Sequence, residues 1–139
     1  MRNRIQASFD RQTMMQTFGA TLDNVAQGHV TLSAPILAGS RQQQGFAHAA
    51  LTFGLGDSAA GYAALTTLPE DQEVVTAEIK INLTAPATGD RLVARGRVIK
   101  PGRRLIVVTS EVFAVNEGRE TLVAILQGTM VPVKLQGGR

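Results

Sequence analysis

The chain has 139 residues, enough for one domain with a real core and too few for two substantial ones. Fourteen Lys and Arg against eleven Asp and Glu leave a net charge of +3, and with no Trp, one Tyr and no interleaved basic and aromatic stripe nucleic-acid binding is not implied. Zero Cys excludes disulfides, thiol nucleophiles and thiolate zinc sites. The start, MRNRIQASFDRQ, lacks the apolar core of a secretory signal, and no apolar run is long enough to span a bilayer, so the expectation is a soluble, cytoplasmic protein without a membrane partner.

Phe9 to Phe18 has a loosely helical apolar spacing through Met14 and Met15, with Gly19 as a helix stop, which predicts a short N-terminal helix. From Thr21 two short extended runs follow, separated by a turn at Gln27 and Gly28, the second reading HVTLSAPIL. A polar link from Ala38 to Gln44 leads into an Ala- and Gly-rich stretch, GFAHAALTFGLGDSAAGYAAL. From about Ala47 to Leu65 this stretch is too long for a typical strand and too rich in Ala to prefer one, so it predicts a helix ended by Pro69 at the latest. Gly54, Gly56 and Gly61 oppose that reading, each by roughly 1 kcal/mol relative to Ala, and the close approach of a sheet is the expected compensation. Neutral on nearly all faces, the helix should be central.

After Pro69 the pattern is that of strands. In EVVTAEIKINL, Val75, Ala77, Ile79, Ile81 and Leu83 alternate with Thr76, Glu78, Lys80 and Asn82, predicting one core face. RLVARGRVI repeats the alternation, KPGRR turns into RLIVVTSEVFAV, and Asn116 to Gly118 turns into TLVAILQGTMVPV. The reading is one α+β domain over residues 1–139: a short N-terminal helix, then a long central helix wrapped by a curved antiparallel sheet whose last four strands form a meander. The Gly-rich tail, Gln136 to Arg139, is expected to fray. Open strand edges predict pairing of two copies.

Asp57 is the only Asp, Glu, Lys or Arg between Arg41 and Glu70. A carboxylate in so neutral a segment loses hydration unless something solvates it, which makes it the first candidate for chemistry, against the alternative of a solvated helix face. Gly56-Asp57-Ser58 looks in passing like a serine-hydrolase elbow, but both His residues, His29 and His48, precede Ser58, whereas the elbow needs a later His. His48 and Asp57 are nine positions apart, about two and a half helical turns, and so lie on opposite faces. If His48 instead marks the helix N-terminus, the free backbone N–H groups there could polarise a carbonyl, with His48 as an orienting side chain rather than a base.

The runs QQQGFAHAALTFGLGDSAAGYAAL and VVTAEIKINLTAPATGDRLVARGRVIKPGRRLIVV resemble the hotdog-fold acyl-CoA thioesterases of the PaaI-like, phenylacetate-degradation type, over about residues 9 to 133. Gln42, Gly45, His48, Asp57, Asn82, Pro86 and Ala87 stand in the family's register. The resemblance implies that Asp57 is the catalytic carboxylate, activating water or attacking the thioester directly. It further implies that the Ala49 N–H meets the thioester oxygen, that Gln42 lines the site, and that Thr76 holds the attacking water. It places Asp57 and Thr76 of one subunit beside Gln42 and Ala49 of a partner, in a homodimer or a dimer of dimers.

Gly45, Phe46, Ala50, Phe53, Asn82, Arg103 and Arg104 are candidates for substrate binding. Phe46, Phe53 and Tyr62 could instead simply fill core, and a charged hairpin tip such as Lys100, Arg103 and Arg104 is often just solvated. The family's His-Gly-Gly is here His48-Ala49-Ala50, which adds methyl groups but keeps the backbone donor, and Thr76 stands for a Ser, keeping the hydroxyl. No metal and no cofactor are expected beyond coenzyme A as part of the substrate. The alternatives are an acyl-thioester dehydratase or hydratase, whose Pro-flanked His and Asp-x-Asn-Pro-x-His signatures are missing, and a non-catalytic acyl-CoA-binding module.

Overall fold

The computed structural model describes residues 1–135; the tail expected to fray lies outside the described residues. The elements in chain order are α1 (Arg2–Arg11), α2 (Thr13–Phe18), β1 (Thr21–Ala26), β2 (His29–Pro35), a 3-10 turn (Ala38–Ser40), α3 (Ala49–Leu65), β3 (Gln72–Leu83), β4 (Arg91–Lys100), β5 (Ile106–Asn116) and β6 (Arg119–Lys134). All six strands join one antiparallel sheet in the order β1-β2-β4-β5-β6-β3. The sheet curves around α3, which packs against β2 through β6. This is the α+β plan of a hotdog fold.

The central helix forms because its Ala-rich apolar sequence can be buried almost all round. Leu51, Leu55, Ala59, Ala63 and Leu65 are at most 1% exposed, and each fully buried Leu contributes about 1.5–3 kcal/mol. Two of its three interior glycines are required by packing. A Cβ on Gly56 would lie 2.9 Å from Leu126 Cδ1 of β6, and one on Gly54 would lie 2.8 Å from Phe18 Cε2 of α2. The sheet therefore accounts for Gly56, as expected, while Gly54 is tied to the N-terminal segment instead. On the sheet side Gly96 is equally constrained, since a Cβ there would lie 2.3 Å from the Ala59 carbonyl oxygen.

The N-terminal segment is longer than its apolar spacing suggests and is broken in two. Ile5 and Phe9, at i and i+4, are buried, and the helix stops at Gln12 in an extended conformation (φ −85°, ψ 93°) before α2 begins. Gly19 ends α2 in the left-handed region (φ 71°) as expected. Arg4 straps α1 across the end of α3: its guanidinium donates to the carbonyls of Leu68 (2.8 Å), Pro69 (2.9 Å) and Gln72. A cation there also complements the helix C-terminus.

Two features of the strands depart from the sequence pattern. The last four strands are not a simple meander: β4, β5 and β6 are, but β3 pairs only with β6 and forms the far edge of the sheet. Periodicity reports which face of a strand is buried and is silent on its neighbour. Within β3 the register shifts between Thr76 and Glu78, and such a bulge switches the inward phase. Val74 precedes it on the core side and Ile79 and Ile81 follow it, while Val75 and Leu83, expected in the core, are 50% and 57% exposed.

Candidate active site

Asp57 projects from the third turn of α3 into a cleft of about 180 Å³. The β3 bulge turns Thr76 towards the same cleft, and its Oγ1 donates to Asp57 Oδ1 at 2.9 Å while lying 3.2 Å from Met130 Sδ. Burial raises the Asp57 pKa above the ordinary carboxylate value, and the Thr76 hydrogen bond partly opposes this. A carboxylate in that state is a better proton acceptor near neutral pH than a solvated one.

The second set of groups is built at the start of α3. His48 is the N-cap, extended at φ −64° and ψ 144°, and its Nδ1 accepts the Ala50 N–H at 2.8 Å. The imidazole thus caps the helix start. Among the described residues the Ala49 N–H, the first of the helix, has no acceptor. A cleft of about 600 Å³ opens beside it, lined by Gln42, Phe46, His48, Ala49 and the segment Leu83 to Ala87. Free helix-terminal N–H groups facing a cleft can stabilise an oxyanion.

The loop before His48 holds this geometry. Gln42 Oε1 accepts the N–H groups of Gln44 and Phe46, and its Nε2 donates to Gln44 Oε1 at 3.1 Å. Gly45 takes φ 90° in the same turn, which a side chain would resist. Arg41, not singled out from sequence, donates to the carbonyls of Gly45 (2.8 Å) and Ile36 (2.9 Å), and Ala47 N–H donates to Ala87 O at 3.0 Å.

Asp57 and Thr76 therefore share one cleft, and Gln42, Phe46, His48 and Ala49 share another. Ala49 and Asp57 lie roughly 12 Å apart along the helix axis. Ala50 faces a further cleft with Leu37, Arg41 and His48, and its N–H is taken by His48. Phe53 packs partly against the core. Asn82 is exposed on β3, next to Leu83 of the Gln42 cleft, and Arg103 and Arg104 are exposed between β4 and β5; none of the three lines the Asp57 or Gln42 cleft. Gly45 lines neither cleft.

Ser58 is not poised as a nucleophile, since its hydroxyl donates to Gln12 Oε1 at 3.1 Å. Gln12 also donates to the Tyr62 hydroxyl at 2.9 Å, as does Ser8 at 3.2 Å. These three side chains wall the Asp57 cleft. Ser8 and Gln12 carry no local sequence signal, because their role depends on where α1 docks. Among the described residues no three His, Asp or Glu side chains cluster as metal ligands, and no helix is long and apolar enough to cross a membrane.

The profile of the thioesterase superfamily matches residues 44–121, more than half of the chain and inclusive of His48, Asp57 and Thr76. The chain belongs to the thioesterase superfamily. A thioesterase family protein from Silicibacter pomeroyi is 37% identical over 96% of this chain and 98% of its own, with a TM-score of 0.94. The E. coli PaaI protein of the phenylacetic acid degradation operon superposes with a TM-score of 0.83 over 97% of this chain and 93% of its own, at 20% identity, a likeness of fold. A curated relative from Saccharolobus solfataricus, named as a candidate esterase, is 36% identical over 87 residues, and this match spans 63% of the present chain and 55% of the relative. These findings match the hotdog thioesterase resemblance read from the sequence.

Proposed function

We propose that the protein is a thioester hydrolase that cleaves an acyl-coenzyme A to free acid and coenzyme A, in a site shared by two copies of the chain. The observation that carries this reading is the position of the two clefts on β3. Val74 and Thr76, near the start of that strand, line the Asp57 cleft, and Leu83, at its end, lines the Ala49 cleft. The strand is a sheet edge of 12 residues with exposed apolar side chains at Val75 and Leu83, which makes it a pairing surface. A two-fold antiparallel pairing of β3 with its copy sets the start of one strand against the end of the other, so each Asp57 meets the Ala49 and Gln42 of the partner subunit.

In that arrangement the thioester carbonyl oxygen accepts the Ala49 N–H and the Gln42 amide lies along the same wall. Asp57, held by Thr76, takes a proton from water. The water oxygen bonds to the carbonyl carbon, the C–S bond breaks as the tetrahedral intermediate collapses, and the proton passes from Asp57 to the departing thiolate. The raised Asp57 pKa supports the role of base. Arg103 and Arg104 are proposed as partners for the coenzyme A phosphates, and the cytoplasm as the compartment.

Release of free thiol from a panel of aryl and alkyl acyl-CoAs tests the reading. Turnover that disappears in Asp57→Asn at unchanged oligomeric mass supports it, and absence of turnover on every ester by the wild type contradicts it. Arg103→Ala with Arg104→Ala should raise KM for the CoA ester while leaving a truncated pantetheine thioester unaffected.

A further inference from the structure

Gly61 is the interior glycine of α3 that packing does not explain. A Cβ there would meet nothing closer than Met130 Cε at 3.9 Å, an ordinary contact distance, in contrast to 2.8 Å and 2.9 Å at Gly54 and Gly56. The helix is regular through this position and the residue is not in a positive-φ conformation. A glycine with room for a methyl group in a helix interior gives up stability that Ala would supply.

What Gly61 faces is the cleft of Asp57. Asp57, Ser58, Gly61, Tyr62 and Leu65 all line it, and at steps of one, four, five and eight from Asp57 they form a single stripe along the helix. Val74, Thr76 and Met130 form the sheet side of the cleft, and Ser8 and Gln12 close it from α1 and the break after it. The stripe is roughly 12 Å long from Asp57 to Leu65, with Gly61 about one turn beyond the carboxylate. Leu65, Val74 and Met130 are the apolar part of the lining, Met130 lying beside Thr76 and Leu65 at the far end of the stripe, while Ser8, Gln12, Glu73 and the Tyr62 hydroxyl add polar groups to those of Asp57 and Thr76.

Resting on the hydrolase reading above, we infer that the acyl chain of the substrate lies along this stripe, and that Gly61 sets the length accepted. The missing side chain is the opening through which a chain passes from the reacting carbonyl at Asp57 towards Leu65. A two-carbon acyl group ends before Gly61, and an eight-carbon chain must cross it. Gly61 is thus a specificity-determining position, and Asp57 and Ala49 carry the chemistry.

The test compares Gly61→Ala and Gly61→Val with wild type and with Gly39→Ala, a glycine in open space on the 3-10 turn, reading kcat/KM for acetyl-CoA and octanoyl-CoA together with thermal melting. The octanoyl-to-acetyl ratio is expected to fall at least tenfold in Gly61→Val, by a smaller factor in Gly61→Ala, and to stay at the wild-type value in Gly39→Ala. Gly61→Ala should also melt a few degrees higher, as Gly→Ala does in an unstrained helix, so it preserves the test if the Val variant fails to fold. An unchanged ratio in Gly61→Ala and Gly61→Val, or a parallel loss on both esters, overturns the inference.

If the wild type cleaves an aryl ester of the panel but neither of these two, the inference is overturned while the hydrolase reading stands; if it cleaves no ester of the panel, the hydrolase reading fails, and the channel is tested separately by calorimetric binding of octanoyl-CoA and free coenzyme A. Tighter binding of the octanoyl ester by wild type, lost in Gly61→Val, supports the channel. The same gain in both proteins, or no gain in wild type, overturns it.

Discussion

In the proposed mechanism the first turn of α3 and its third turn place chemistry on one helix in two different ways. At the first turn the working group is the backbone: His48 takes up the Ala50 N–H and the Ala49 N–H is left without an acceptor. Side-chain identity matters little there, which is why Ala can stand where the family's pattern has Gly. At the third turn the working group is a side chain whose properties come from elsewhere, from burial and from a Thr76 hydroxyl delivered by β3. A backbone donor tolerates most substitutions, whereas a buried carboxylate tolerates almost none.

The sharpest way to break this contrast is to remove each group in isolation. Asp57→Asn should lower kcat by about 10²–10⁴, the usual contribution of a positioned base, measured by thiol release. Ala49→Pro should lower kcat by about 10²–10³, the cost of one oxyanion donor, because proline deletes the N–H yet fits the first helical position after an extended residue. Ala49→Gly, which keeps the donor, should lose far less. Equal losses in the Pro and Gly variants would mean that the side chain at position 49, not its N–H, is what matters.

Smaller effects probe the third turn. Thr76→Val removes the hydrogen bond that opposes the burial-driven rise in the Asp57 pKa, so the acidic limb of the kcat–pH profile should move to higher pH, and Thr76→Ser should restore it. The smallest expected effect is on stability. Because the folded state holds the Asp57 proton more tightly than the unfolded chain does, stability falls as pH rises from the ordinary value of 3.8 through the raised folded value. Asp57→Asn should therefore melt above wild type at pH 7, with the difference vanishing in strong acid.

Much of the third turn was legible in the sequence, because one carboxylate among neutral residues is a local anomaly. The approximate start of the central helix, the turn at Gln27 and Gly28, and the strand alternation of RLVARGRVI were legible for a similar reason, each being written in consecutive residues. The β3 bulge was not, since it changes phase without any break in the apolar pattern, and neither was the passage of β3 to the far edge beside β6. Arg4, Gln12 and Arg41 stayed hidden because their partners are distant backbone or side-chain groups that only the folded chain brings near. Nor does any spacing within the chain reveal that the two clefts lie at opposite ends of one edge strand, the placement on which the proposed shared site rests.

Mixing two inactive variants tests that last point most directly. Asp57→Asn and Ala49→Pro dimers, each nearly inactive, are unfolded together in equal amounts and refolded, and thioester hydrolysis is then measured. A shared two-fold site predicts that half of the dimers are hybrids carrying one intact site, restoring about a quarter of wild-type turnover. No recovery, with hybrid dimers demonstrated by mass, would show that Asp57 and the Ala49 N–H do not act across the subunit boundary.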